Sequence, residues 1–207
     1  MYARWRHAKW NAIATDVINR RQSGQPVLIG TRSIQASEEL AERLAAAGVS
    51  FQLLNGKQDA DEAAIIAQAG LASSITIATN MAGRGTDIRL DRPALEAGGL
   101  HVIVSEHHDS VRIDRQLIGR AARQGQPGSA QLFASSEDDL LMRYGVEVSK
   151  MLKHSGNAGE LNRNFTKSVR QVQQRAEQEG YRQRRRLFQD DQHQDVLLSR
   201  IAGGITP

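Results

Sequence analysis

The sequence predicts a parallel α/β fold followed by a long helical segment. Three observations predict it. Short apolar runs recur along the chain as far as Ala134, segments with helical spacing separate them, and strand signals stop after about Tyr144. Strands that alternate with helices in this way pair in parallel, with helices on the faces of the sheet and right-handed crossovers.

Residues 8–22 carry Trp10, Ile13, Ala14, Val17 and Ile18 at helical spacing. Ser23-Gly24-Gln25-Pro26 ends that helix, and Val27-Leu28-Ile29-Gly30-Thr31 reads as a strand buried on both faces. A second helix spans 33–47, with Ile34, Leu40, Ala41 and Leu44 inside, and Gly48 sits where a left-handed stop belongs. Residues 51–54 form a second strand, 59–69 a helix closed by Gly70, 75–79 a third strand and 100–105 a fourth. A helix at 111–117 and a fifth strand at 131–134 complete the alternation. Residues 146–160 are weakly patterned. The Arg-, Gln- and Glu-rich stretch 161–200 reads as one long helix with a candidate break at Gly180, and 202–207 as a frayed tail.

Composition narrows the chemistry. The 207 residues are 40% hydrophobic but only 4% aromatic, so the core is built from Val, Ile, Leu and Ala. Lys and Arg number 27 against 23 Asp and Glu, a formal charge of +4, which is too mild to imply a nucleic-acid partner by itself. The absence of cysteine excludes disulfides, thiol catalysis and cysteine zinc sites. No run approaches about 18 consecutive apolar residues, and the polar, basic start lacks a signal core, so a cytosolic chain is expected.

Ligands on open parallel sheets bind beyond the carboxyl ends of the strands, so the loops after the third and fourth strands are where chemistry is expected. After the third strand comes Thr79-Asn80-Met81-Ala82-Gly83-Arg84-Gly85-Thr86-Asp87-Ile88. Gly83 and Gly85 allow close backbone approach, Arg84 can fork onto phosphate oxygens, and Asp87 can accept from a ribose hydroxyl. A tight turn with a solvated arginine fits this segment equally well. The second segment is Gln116-Leu117-Ile118-Gly119-Arg120-Ala121-Ala122-Arg123-Gln124-Gly125. On a helical turn, Arg120 and Arg123 project from one side, which suits a polyanion. An arginine finger contributes about 10³–10⁵ in phosphoryl-transfer rate, or roughly 4–7 kcal/mol. A surface salt bridge would contribute only about 0–1 kcal/mol.

Together these segments match motifs V and VI of the second of two RecA-like domains in superfamily 2 helicase-type motors. The wording at 25–34, 75–88, Gly98-Gly99-Leu100, 116–125 and Pro127-Gly128 closely resembles the SecA family of preprotein translocase ATPases. The resemblance covers 9–145. It continues more weakly through Arg175-Ala176-Glu177 to Tyr181 and Leu187-Phe188-Gln189-Asp190-Asp191, which are similar to the family's helical scaffold. It implies a lead-in helix at 1–24, a RecA-like second motor domain at 25–145, and a partial scaffold and tail at 146–207.

The resemblance further implies ATP as the ligand. Asp87 would contact the nucleotide, Arg84, flanked by Gly83 and Gly85, would order its loop near the phosphates, Arg120 and Arg123 would reach the γ-phosphate as arginine fingers, and Gln116 and Gln124 would support their turn. It implies as partners a first motor domain, a protein-conducting channel, preprotein and an anionic membrane surface, with a cytoplasmic, peripherally membrane-associated location. Nucleic acid is not expected as a partner. No G-x-x-x-x-G-K motif followed by Ser or Thr is present, nor an acidic magnesium-binding strand end, so magnesium would be bound mainly by the first domain and the chain alone is not expected to hydrolyse ATP. Two other readings stand beside this one: a truncated, non-catalytic paralogue acting as a binding module, and the C-terminal domain of a nucleic-acid helicase.

The chain departs from the family wording at four positions. His107, Val111 and Ile118 stand where the family usually has arginine, and Ala122 where it usually has glycine. Glu106, His107, His108 and Asp109 lack metal-ligand spacing and read as a polar strand-to-helix loop. His101 reads as a packed strand residue, and Glu137-Asp138-Asp139 as an acidic helix start. Trp10 is expected in the core and Trp5 exposed. The basic run Arg182, Arg184, Arg185 and Arg186 is read as a solvated helix face, with a partner helix or anionic lipid as the other candidate.

Overall fold

The computed structural model describes residues 1–54, 62–79, 87–154 and 165–203, and their side chains apart from those of 62 and 195–203. Five parallel strands form the central sheet, in the order β3(Gln52–Leu54), β4(Ile75–Thr79), β2(Val27–Thr31), β5(Leu100–Val104), β6(Gly128–Leu132). A short parallel pair, β1(Tyr2–Ala3) with β7(Ala134–Ser135), lies outside it. The helices are α1(Arg6–Gln22), α2(Ile34–Ala46), α3(Glu62–Gln68), α4(Arg92–Glu96), α5(Val111–Ile118), α6(Asp139–Tyr144), α7(Val146–His154) and α8(Thr166–Gly203).

Alternation along the strands sorts the side chains between two cores. Val27 and Ile29 of β2, Ile75 and Ile77 of β4 and Ile103 of β5 face α1 and α2, where Trp10, Ile13, Val17, Leu40 and Leu44 meet them. Leu28, Ala78, Val102 and Val104 point the other way, onto Ile66 of α3 and Leu117 of α5. Both faces are covered, which is why the strands read as continuous apolar runs. A third cluster joins Leu140 and Leu141 of α6, Leu152 of α7, and Phe165, Val169, Val172 and Ala176 along the base of α8.

Several elements differ from expectation. The fifth strand begins at Gly128, three residues before the apolar run, because backbone pairing with β5 from Leu100 onward defines it, whereas its own side chains are only partly buried. Helix α8 runs through Gly180 without a break: a single glycine costs a helix only about 1 kcal/mol relative to alanine. Trp5 is half-buried at the start of α1, with Arg4 5.2 Å and Lys153 6.0 Å from its ring, while Trp10 is in the core as expected. Gly48 takes the left-handed conformation (φ 71°) that stops α2. Residues 59–61 and 161–164, the expected first residues of two helices, lie outside the described residues.

Candidate functional site at the amino edge of the sheet

The arginine-bearing turn lies at the edge of the sheet opposite to the one expected. Helix α5 descends from the carboxyl end of β5, and the turn that follows it leads into β6 at Gly128, which pairs with Leu100 at the start of β5. Residues 119–127 therefore sit beside the amino ends of β5 and β6. The general rule for open sheets looks at the other edge, and here α5 carries the chain back across the sheet before Arg123 is reached.

The two motifs meet through one contact. Arg123 donates from Nη1 to Asp87 Oδ1 at 3.0 Å and from Nε to the Gly119 carbonyl at 3.0 Å. The side chains of Arg123 and Asp87 are 39% and 47% exposed, so the pair contributes little to stability. Two of the five N–H donors of Arg123 are thus engaged with described residues.

The turn is not a continuation of the helix. Helix α5 ends at Ile118, and Ala122 and Gln124 both adopt left-handed backbone, φ 54° and 53°. The helical spacing read between Arg120 and Arg123 does not apply, since a left-handed residue reverses the chain between them. Arg120 is half-buried in this turn, and Gln116 and Gln124 flank it, both exposed. Gly83, Arg84 and Gly85 lie outside the described residues. Backbone packing holds the turn in place: a Cβ on Gly99 (φ 74°) would lie 1.8 Å from the Pro127 carbonyl oxygen, and one on Gly128 would lie 2.5 Å from Ala122 N.

At the other end of α5 lies a buried polar network that the sequence reading missed. Asp114, in the first turn of α5, accepts from His107 Nδ1 (2.9 Å), His108 Nδ1 (2.7 Å) and His108 N (3.0 Å). Burial pushes its carboxyl up, but the hydrogen bonds from His107 and His108 outweigh that and hold it well below the usual range. Gln173 of α8 donates to Asp114 Oδ2 and to the His108 carbonyl, each at 2.8 Å. The two histidines thus serve a carboxylate, and no group of metal-ligating side chains occurs among the described residues. The i, i+6 spacing of His108 and Asp114 carried no recognisable signal.

Two further networks fix the scaffold. His101, buried in β5 as expected, bonds Ser129 Oγ (2.7 Å) and Asp16 Oδ2 (3.0 Å), tying α1 to the sheet. Lys9 is fully buried and meets Asp138 at 2.5 Å and Glu106 at 4.0 Å. Asp138 precedes α6 as expected but accepts from Ser135 and Lys9 rather than from that helix. Burial raises the Glu106 carboxyl above its ordinary value, against the opposing charge of Lys9.

A five-stranded parallel sheet covered by helices on both faces is a RecA-like fold. Solved structures share this fold. The Escherichia coli DEAD-box protein SrmB aligns over 81% of this chain and 89% of its own, at a TM-score of 0.55 and 20% identity. The second helicase domain of the DEAD-box protein Mss116p aligns over 83% and 66%, at 0.53 and 17%. The SecA P-loop domain model matches residues 1–94 and 91–160, and the chain belongs to that family. Protein translocase subunit SecA of Chlorobium phaeobacteroides is 43% identical over 97% of this chain and 20% of its own length. That of Flavobacterium psychrophilum is 45% identical over 92% and 17%. The chain therefore spans about a fifth of the length of these curated relatives.

Proposed function

We propose that the chain acts as the second half of an ATP-driven protein-translocating motor, with residues 25–145 as the motor domain and 146–207 as part of its helical scaffold. The Arg123–Asp87 contact carries this reading, because it joins the two segments that face the nucleotide in motors of this class. Asp87 would meet the nucleotide, and Arg120 and Arg123 would stabilise charge developing on the γ-phosphate during transfer to water.

The residues present fit ATP in part. Arg123 retains donors for phosphate oxygens, and the exposed carboxylate of Asp87 can accept from a hydroxyl. The sequence offers no phosphate loop and no acidic magnesium-binding strand end, so the triphosphate and its magnesium would be held mainly by a first motor domain. Arg84, flanked by Gly83 and Gly85, would order its loop near the phosphates, with Gln116 and Gln124 supporting the turn. The partners in this reading are that first domain, a protein-conducting channel and a preprotein, reached from the cytoplasmic side of a membrane whose anionic surface the motor touches.

Steady-state ATPase of the chain alone and mixed with a SecA-type first motor half tests this. Turnover is expected only in the mixture, and Arg120→Ala is expected to abolish it. No turnover with a matched first half would leave the non-catalytic binding module as the better reading.

A further inference from the structure

We propose that Glu177 and Gln173, on α8, are positioning residues for the arginine turn at the far end of α5. The proposal rests on the reading of Arg120 and Arg123 given above, and it adds how the long helix governs them.

Helix α5 begins with donors its own backbone cannot satisfy. Ser110 precedes it and caps locally, its Oγ accepting from Arg112 N at 3.3 Å. A stronger cap comes from α8. Glu177 Oε1 accepts from Val111 N at 2.8 Å and from Ser110 Oγ at 2.9 Å, which places a carboxylate at the positive end of the α5 dipole. One turn earlier on α8, Gln173 is 3% exposed and donates both its amide bonds into the α5 side, to Asp114 Oδ2 and the His108 carbonyl. Four hydrogen bonds from two residues thus clamp the first turn of α5 and the residues just before it to α8.

That clamp has little slack before it reaches the arginines. Helix α5 has eight residues and so is about 12 Å long. Its last turn passes directly into Gly119, whose carbonyl holds Arg123 Nε. A shift or tilt of the amino end of α5 therefore moves the turn that carries Arg120 and Arg123. Meanwhile α8 spans 38 residues, about 57 Å, and among its described side chains only those of its base are packed: those from Tyr181 to Gln194 are all exposed. A load on the free arm reaches the body where Val169, Val172 and Ala176 pack and where Gln173 and Glu177 bond. The geometry makes α8 a lever whose fulcrum is also the cap of the arginine-bearing helix.

The test has two arms. In the chain itself, amide hydrogen exchange is followed at Gly119, Arg120 and Ala121, whose N–H groups donate to the carbonyls of Arg115, Leu117 and Ile118 in the last turn of α5. Glu177→Ala is expected to speed their exchange by about tenfold while Ile29 and Ile77 in the sheet are unchanged. Glu177→Gln, which keeps an acceptor oxygen, is expected to restore most of the protection. Unchanged exchange at the turn, or equal acceleration of turn and sheet, overturns the proposal. In the mixture with a first motor half, Glu177→Ala is expected to lower kcat about tenfold with KM for ATP within about twofold. An unaltered kcat overturns the proposal. A wild-type mixture without turnover defeats the functional reading instead, and the exchange arm still decides the positioning role.

Discussion

Arg123 and Asp87 lie 36 residues apart in sequence and meet at 3.0 Å at the amino edge of the sheet. Neither is buried, so their contact serves geometry more than stability. It joins the segment after β4 to the turn after α5, and it holds a guanidinium in place.

Separate losses of function and stability should follow. Arg123→Ala is expected to change unfolding free energy by no more than about 1 kcal/mol, as for other exposed pairs. Turnover by the reconstituted motor is expected to fall about 10³-fold or more. Urea denaturation and steady-state kinetics on the same variant check both; a large stability loss would make the pair structural.

Ala122 is an exposed, non-glycine residue in left-handed backbone. The family's usual glycine at this position is explained by that conformation. Ala122→Gly should stabilise the chain by about 0.5–1 kcal/mol, read as a shift in the urea midpoint at constant slope.

Gly99 makes the opposite case. Its φ of 74° and the nearby Pro127 carbonyl leave no room for a side chain. Gly99→Ala is expected to lower stability by about 2 kcal/mol or more, because the turn into β6 must move. A melting temperature equal to wild type would refute this packing.

Lys9 and Asp138 form an ion pair in which both side chains are almost wholly buried. Removing one partner leaves the other charge unpaired. Lys9→Ala is expected to cost about 3–5 kcal/mol in chemical denaturation, far more than any exposed pair on this chain.

Acid should weaken the fold through Asp114 and Asp16. Burial raises both carboxyls, but hydrogen bonds and the charge of their partners (His107 and His108 for Asp114, His101 and Arg20 for Asp16) bring both below 3.8. Their stabilisation is complete above pH 3.8, where both states are ionised, and is lost as pH falls through the lower native values. Stability measured from pH 5 to pH 2 should therefore drop, and Asp114→Asn should flatten that slope.

The sequence by itself determined the architecture. Runs such as Val27-Leu28-Ile29 can be satisfied only by a strand covered on both faces, and Ser33 and Gly48 bound α2 through local backbone chemistry. Motif wording also marked Asp87 and Arg123. Tertiary structure alone decided where those residues go. Helical spacing implied that Arg120 and Arg123 share a face, but left-handed Ala122 breaks the helix before Arg123. The carboxyl-edge rule implied one end of the sheet, but the chain returns to the other. The partners of Asp114, Glu177 and Lys9 were also invisible in one dimension. A carboxylate's role depends on which donors folding brings within about 3 Å, and contacts between α5 and α8 or between α1 and α6 have no periodicity that a linear pattern records.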